Sequence, residues 1–252
     1  SSQDLYCDFL HIKKAIREGK KQIRRCIINM GYYMLFQDIS LSRQMNYLMP
    51  TVYGPLFDDM HHYVAESSID FLEKIEYEHS VYSEDLIRKI CQEWSNGAFI
   101  EQGSYYGKLL TREQNNILSI HGVMWPKKDN EEKNQYALKR AADHNKLRKH
   151  ELSRLENDKI VRDMVEFLEK HEIRPIFVIF PFTQWYRKYI DSFYKKDIFE
   201  LLNSLPQQVE LLDMNEIDGF NDEDFLDTDH LSLRGAEKAT RLLVEFIKIE
   251  QM

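Results

Sequence analysis

The sequence predicts an α/β fold built on a mostly parallel sheet. Three observations carry this. Two short apolar runs, Arg24-Arg25-Cys26-Ile27-Ile28-Asn29-Met30 and Ile176-Phe177-Val178-Ile179-Phe180, lack the polar–apolar alternation of a half-solvated sheet and read as strands buried on both faces. Each has an amphipathic helical stretch before it. The last hundred residues then repeat the pattern as strand, helix, strand, loop, helix.

The elements follow in order. Residues 4–19 form a helix with Leu5, Phe9, Ile12 and Ile16 on one face; Ser2 or Asp4 caps its start and Gly19 marks its end. The first strand opens into a loop at Gly31-Tyr32-Tyr33. Residues 34–126 are rich in aromatics and methionine and irregular in pattern. They are expected as an insertion or lid that shapes a pocket, within a single domain spanning 1–252. Residues 127–158 are strongly charged and read as a solvated loop and exposed helix face, interrupted by His144 and Asn145. An amphipathic helix follows with Ile160, Val161, Met164, Val165, Phe167 and Leu168 inward. The central strand 176–180 leads past Pro181-Phe182-Thr183 into a helix running through Trp185, Tyr189 and Phe193. Val209-Glu210-Leu211-Leu212-Asp213 is the next strand. The final helix carries Ala236, Ala239, Leu242, Leu243, Phe246 and Ile247 on one face.

Composition narrows the function. With 43% hydrophobic and 12% aromatic residues, the chain can fill a core. A net charge of -8 and the lack of a long basic run disfavour nonspecific nucleic-acid binding. Cys7, Cys26 and Cys91 are sparse and far apart, which reads as reduced thiols and favours a cytoplasmic setting. No stretch has the roughly 20 apolar residues of a membrane span. The opening Ser1-Ser2-Gln3-Asp4 suggests a start inside a longer protein.

The segment with most chemical content is Asp227-Thr228-Asp229-His230, just ahead of the final helix. An acid three residues before a histidine can reach one ring nitrogen while the other faces a nucleophile. The plainer alternative is a loop in which Asp227 and Asp229 shape the turn, Ser232 caps the helix and His230 bonds to the loop. The segment's place beyond the carboxyl edge of the strands, where open α/β sheets bind ligands, favours the chemical reading. Asp58, His61 and His62 offer a weaker idea, a metal-dependent hydrolase, but adjacent histidines point different ways on a regular element. No cofactor or metal is expected.

Phe225-Leu226-Asp227-Thr228-Asp229-His230-Leu231-Ser232-Leu233-Arg234-Gly235-Ala236 resembles the last sequence block of the SGNH (GDSL-like) hydrolases. The likeness is closest to the branch containing the DltD-type D-alanyl-lipoteichoic-acid biosynthesis proteins. It extends upstream through the strands at 176–182 and 209–213. Ser1-Ser2-Gln3-Asp4-Leu5 is similar to the family's second block, and residues 27–33 fall where its third strand stands. The resemblance implies a three-layer α/β/α, flavodoxin-like fold and acyl-ester chemistry. His230 would act as general base to a serine and then as general acid to the leaving alcohol, with Asp227 orienting it. It implies an esterase or O-acyltransferase acting on an acylated saccharide or envelope polymer, and an envelope location if an anchor precedes the chain. Two departures stand out. The family's nucleophile turn follows a first strand that would lie upstream of Ser1, so the domain is expected to be N-terminally incomplete, with an open sheet edge covered by a partner or another segment. Tyr32-Tyr33 stands where an oxyanion-binding Asn is usual. Within this chain the serine candidates are Ser2 or Ser1, which precede a helix, and Ser104, which follows Gly103. The reading from a different class is a non-catalytic α/β module that binds a glycan or a protein partner through its aromatic-rich middle.

Overall fold

A computed structural model describes residues 4–19, 23–41 and 125–249. Helix α1 (Leu5–Arg17) starts where Asp4 accepts the Cys7 N–H at 3.0 Å, and the chain leaves it at Gly19, whose φ of 67° suits glycine. The second oxygen of Asp4 accepts the Ile39 N–H at 2.9 Å, so one buried carboxylate joins the helix start to the loop after the first strand. Burial, set against those N–H bonds, holds Asp4 above the usual carboxylate range.

Three strands follow: β1 (Arg25–Asn29), β2 (Arg174–Ile179) and β3 (Glu210–Asp213). They pair in parallel in the order β1-β2-β3, with Ile28 opposite Phe177 and Val178 opposite Leu212. Between β1 and β2 run α2 (Asn130–Asn145) and α3 (Glu151–Lys170). Between β2 and β3 run α4 (Gln184–Arg187) and α5 (Ser192–Asn203), and α6 (Leu233–Ile249) ends the described chain. Alternation along β2 sorts the layers. Phe177 and Ile179 enter a core shared with α1, α3 and α5, while Ile176 and Val178 enter a smaller core under Ala239 and Leu243 of α6. The chain is therefore an α/β protein with helices on both faces of a small parallel sheet.

Four expectations need adjustment. Strand β1 is not buried on both faces: Ile28 is, but Ile27 is 46% exposed, because α1 and α3 cover one side of it only. The helix expected through Trp185, Tyr189 and Phe193 is two helices. Asp191 recaps the second by accepting the Phe193 N–H at 2.9 Å, which breaks the run. Of the stretch 34–126, residues 34–41 are core rather than lid: Leu35 and Phe36 are buried, and Asn157 of α3 donates to the Leu35 and Gln37 carbonyls at 3.0 Å. Residues 42–124 lie outside the described residues. Finally, the charged run 127–158 is not all solvated. Helix α2 opens with a full capping box between Asp129 and Glu132 and buries Lys133, Ala137, Ala141 and His144. No helix among the described residues is long and apolar enough to cross a membrane.

Candidate acid–histidine site

The Asp227–His230 segment is the tip of a short hairpin. Phe225 bridges Leu231, and the Leu226 N–H donates to the His230 carbonyl at 2.8 Å. The base of the hairpin is anchored by apolar burial of Phe225 and Leu226 and by Asp224, a fully buried carboxylate 3.0 Å from Arg234 and 3.1 Å from Lys238 of α6. Its tip is tied to the carboxyl end of β2: the backbone N–H and the hydroxyl of Thr183 both donate to the Thr228 carbonyl, at 3.2 and 2.8 Å. These bonds place the segment at the rim where the parallel strands end.

Within the hairpin, Asp227 Oδ1 accepts the backbone N–H of Asp229 at 2.9 Å and of His230 at 2.8 Å. The His230 ring sets Nδ1 2.9 Å from Asp227 Oδ2 and 3.0 Å from Oδ1. A proton on Nδ1 then donates to the carboxylate, and Nε2 of the neutral ring is left as the base. The ring is 48% exposed. The hydrogen bond from Asp227 raises its pKa above the ordinary 6.5, against a smaller opposing effect of burial. The loop-forming and ring-holding readings of Asp227 thus describe one side chain doing both.

Asp229, which the plainer reading gives a part in shaping the turn, has a larger role. Its side chain is 2% exposed and receives Arg140 of α2 through Nε at 3.0 and 3.1 Å and Nη2 at 2.9 Å, with Thr228 Oγ1 donating at 2.7 Å. Burial works against its ionisation, but the fields of His230 and Arg140 outweigh that and keep it below the usual carboxylate range. Under this pair lies a packed aromatic and polar layer. The His144 ring stacks on Tyr33 with centroids 3.8 Å apart, and its Nδ1 is 2.5 Å from the Tyr186 hydroxyl. Burial and the nearby Arg140 charge push His144 down to about 4, so it is neutral near pH 7. Of Tyr32-Tyr33, which stand where the sequence resemblance implies an oxyanion-binding Asn, Tyr32 donates its hydroxyl to Asp213 at 3.3 Å and Tyr33 stacks on His144.

His230 and Asp227 open onto a cleft of about 260 Å³, whose opposite wall is α2. Among the described residues no hydroxyl bonds to Nε2 of His230. Ser232 is occupied as the cap of α6: its hydroxyl donates to the Glu223 carbonyl at 2.9 Å and accepts the Gly235 N–H at 3.2 Å. Ser1, Ser2 and Ser104, and also Asp58, His61 and His62, lie outside the described residues. Neither Cys7 nor Cys26 is in a disulfide, and burial pushes both thiols up, Cys26 to about 11, which keeps them from serving as thiolates. Asp227, Asp229 and His230 cluster closely enough to hold an ion. Their oxygens are already committed to N–H groups and a guanidinium, a donor set that suits an ion poorly.

Sequence reasoning did not find Arg140, Thr183 or the buried role of Asp229. A signal was present, since Tyr136, Arg140 and Asp143 recur at helical spacing inside the charged run. It could not say what that face meets.

The fold and the hairpin define an α/β protein with an acid–histidine pair at the carboxyl rim of its sheet. A family model with no assigned activity matches residues 123–251, just over half of the chain, and the chain belongs to that family. The match takes in every described helix and strand from α2 through α6, the hairpin included. No curated protein and no solved structure matches the chain.

Proposed function

We propose that the chain is an SGNH-like esterase or O-acyltransferase, or a portion of one, acting on an acylated saccharide or envelope polymer. Asp227 and His230 are its acid–base pair, and a serine is the nucleophile. The observation that carries this is the Asp227–His230 contact at 2.9 Å on a half-exposed ring that faces a cleft. His230 takes the serine proton as the hydroxyl attacks the ester carbonyl and returns it to the departing alcohol; Asp227 holds the tautomer and steadies the imidazolium. Water or a sugar hydroxyl then attacks the acyl-enzyme, which separates hydrolysis from transfer. The sequence resemblance of residues 225–236 supports the same assignment. The half-exposed face of β1 suits a covering segment or partner.

The second reading is a module that keeps the fold and binds a glycan or protein without chemistry. It is favoured by one observation, that no described hydroxyl meets His230 Nε2. A p-nitrophenyl acetate assay on the full chain separates the two. The catalytic reading expects His230→Ala to lower kcat/KM by about 10²–10⁴-fold. Equal turnover in parent and variant rejects it and leaves the binding module.

A further inference from the structure

Two carboxylates flank the His230 ring. Asp227 Oδ2 lies 2.9 Å from Nδ1, and Asp229 Oδ1 lies 3.9 Å from the same nitrogen. Two uncompensated neighbours of that kind would hold the imidazolium too firmly for the ring to serve as a base near neutral pH. Asp229, however, is gripped from the other side. It is buried, and Arg140 of α2 reaches both of its oxygens, through Nε at 3.0 and 3.1 Å and Nη2 at 2.9 Å. A guanidinium fork sets its charge against the carboxylate and fixes the carboxylate's plane. After the Asp227 hydrogen bond, which dominates, the field of Asp229 raises the proton affinity of the ring and that of Arg140 lowers it. The other groups around the ring add little net charge. His144, also on α2, is neutral near pH 7, and burial keeps the Tyr33 hydroxyl after β1 protonated. Among the described residues of the cleft lining, Lys128, Lys139 and Arg140 stand against Asp143, Asp227 and Asp229. Walls balanced in this way leave the nearest pairs to decide where the proton sits.

We infer that Arg140 is a positioning residue for His230: by clasping Asp229 it cancels the second carboxylate beside the ring, so that Asp227 alone steadies the Nδ1 proton and Nε2 remains a base. The inference rests on the esterase reading for the use made of that base. Arg140 acts through Asp229, which also receives the Thr228 hydroxyl at 2.7 Å, so the same clasp ties α2 to the hairpin tip.

NMR titration of the His230 ring in the full chain tests it. Arg140→Gln keeps an N–H toward Asp229 without the charge, and the ring should then hold its proton about threefold or more tightly than in the parent. Adding Asp229→Asn to that variant should take the rise away. A merely structural role has the opposite sign: a loosened hairpin parts the ring from Asp227, and its titration falls toward 6.5. The inference is overturned if Arg140→Gln raises the proton affinity by less than about threefold or lowers it, or if Asp229→Asn leaves the rise in place. The Arg140 side chain is 41% exposed, so its substitution opens no core cavity. Should Arg140→Gln still fail to fold, Arg140→Lys decides: it keeps the charge and loses the fork, and a fall of more than about twofold in proton affinity overturns the inference, whereas a parent-like or higher value upholds it. The acid limb of p-nitrophenyl acetate kcat/KM should move to higher pH with the ring in Arg140→Gln. A limb that stays while the ring moves counts against the esterase reading alone, which keeps the two proposals separable.

Discussion

At the residue scale, the two oxygens of Asp227 divide their work: Oδ1 receives two backbone N–H groups and fixes the turn, and Oδ2 lies nearest the ring nitrogen. A histidine held this way keeps its proton to higher pH than a free one. The stability the pair contributes is therefore fully present below about 6.5 and fades as pH rises through the folded value. Base catalysis runs the other way, since only the neutral ring can accept a proton. His144 has the opposite sign. Its pKa falls from 6.5 to about 4, so its contribution is complete above 6.5 and is lost as pH drops through 4. That difference corresponds to on the order of 3 kcal/mol. His144→Gln should flatten the loss of unfolding free energy between pH 7 and pH 4, read from urea midpoints; an acid dependence as steep as the parent's contradicts the assignment. Asp227 and His230 were legible in the sequence because a spacing of three is a local property. Arg140 and Asp229 were not, because their partnership joins residues 89 positions apart.

At the element scale, the hairpin and α6 meet more closely than a side chain permits. A Cβ on Gly235 would stand 1.9 Å from the Asp224 carbonyl oxygen and 3.0 Å from Leu231 Cδ2. That carbonyl also accepts the Ser232 N–H at 2.9 Å, so it cannot retreat without breaking the cap region. Gly235→Ala should cost about 1–3 kcal/mol or more in chemical denaturation and disturb the His230 loop. A variant as stable as the parent would show that the approach is looser than described. The elements whose pattern is local were legible: α1, β2, β3, α3 and α6 fall within a few residues of expectation. The break between α4 and α5 was not, since Asp191 caps α5 in a stretch whose apolar spacing runs on. Nor was the inner face of α2, where buried Lys133 meets Asp222 at 2.9 Å and looks in sequence like any surface lysine.

At the scale of the whole molecule, β2 organises the arrangement. Its alternate residues divide the cores, its end delivers Thr183 to the Thr228 carbonyl, and α2 reaches the same point from the other side through Arg140. Sheet, hairpin and α2 together hold one imidazole against one carboxylate at the mouth of a cleft. An α/β class and the rim position were readable from the order of the elements. The cleft was not, because its walls come from segments read separately as solvated helix and polar loop. The most direct test is an NMR titration of the His230 ring in the full chain and in Asp227→Asn. The account predicts a parent value above 6.5, a lower one in the variant, and an acid limb of kcat/KM that moves to lower pH with it. Identical titration of the ring in both proteins would contradict it.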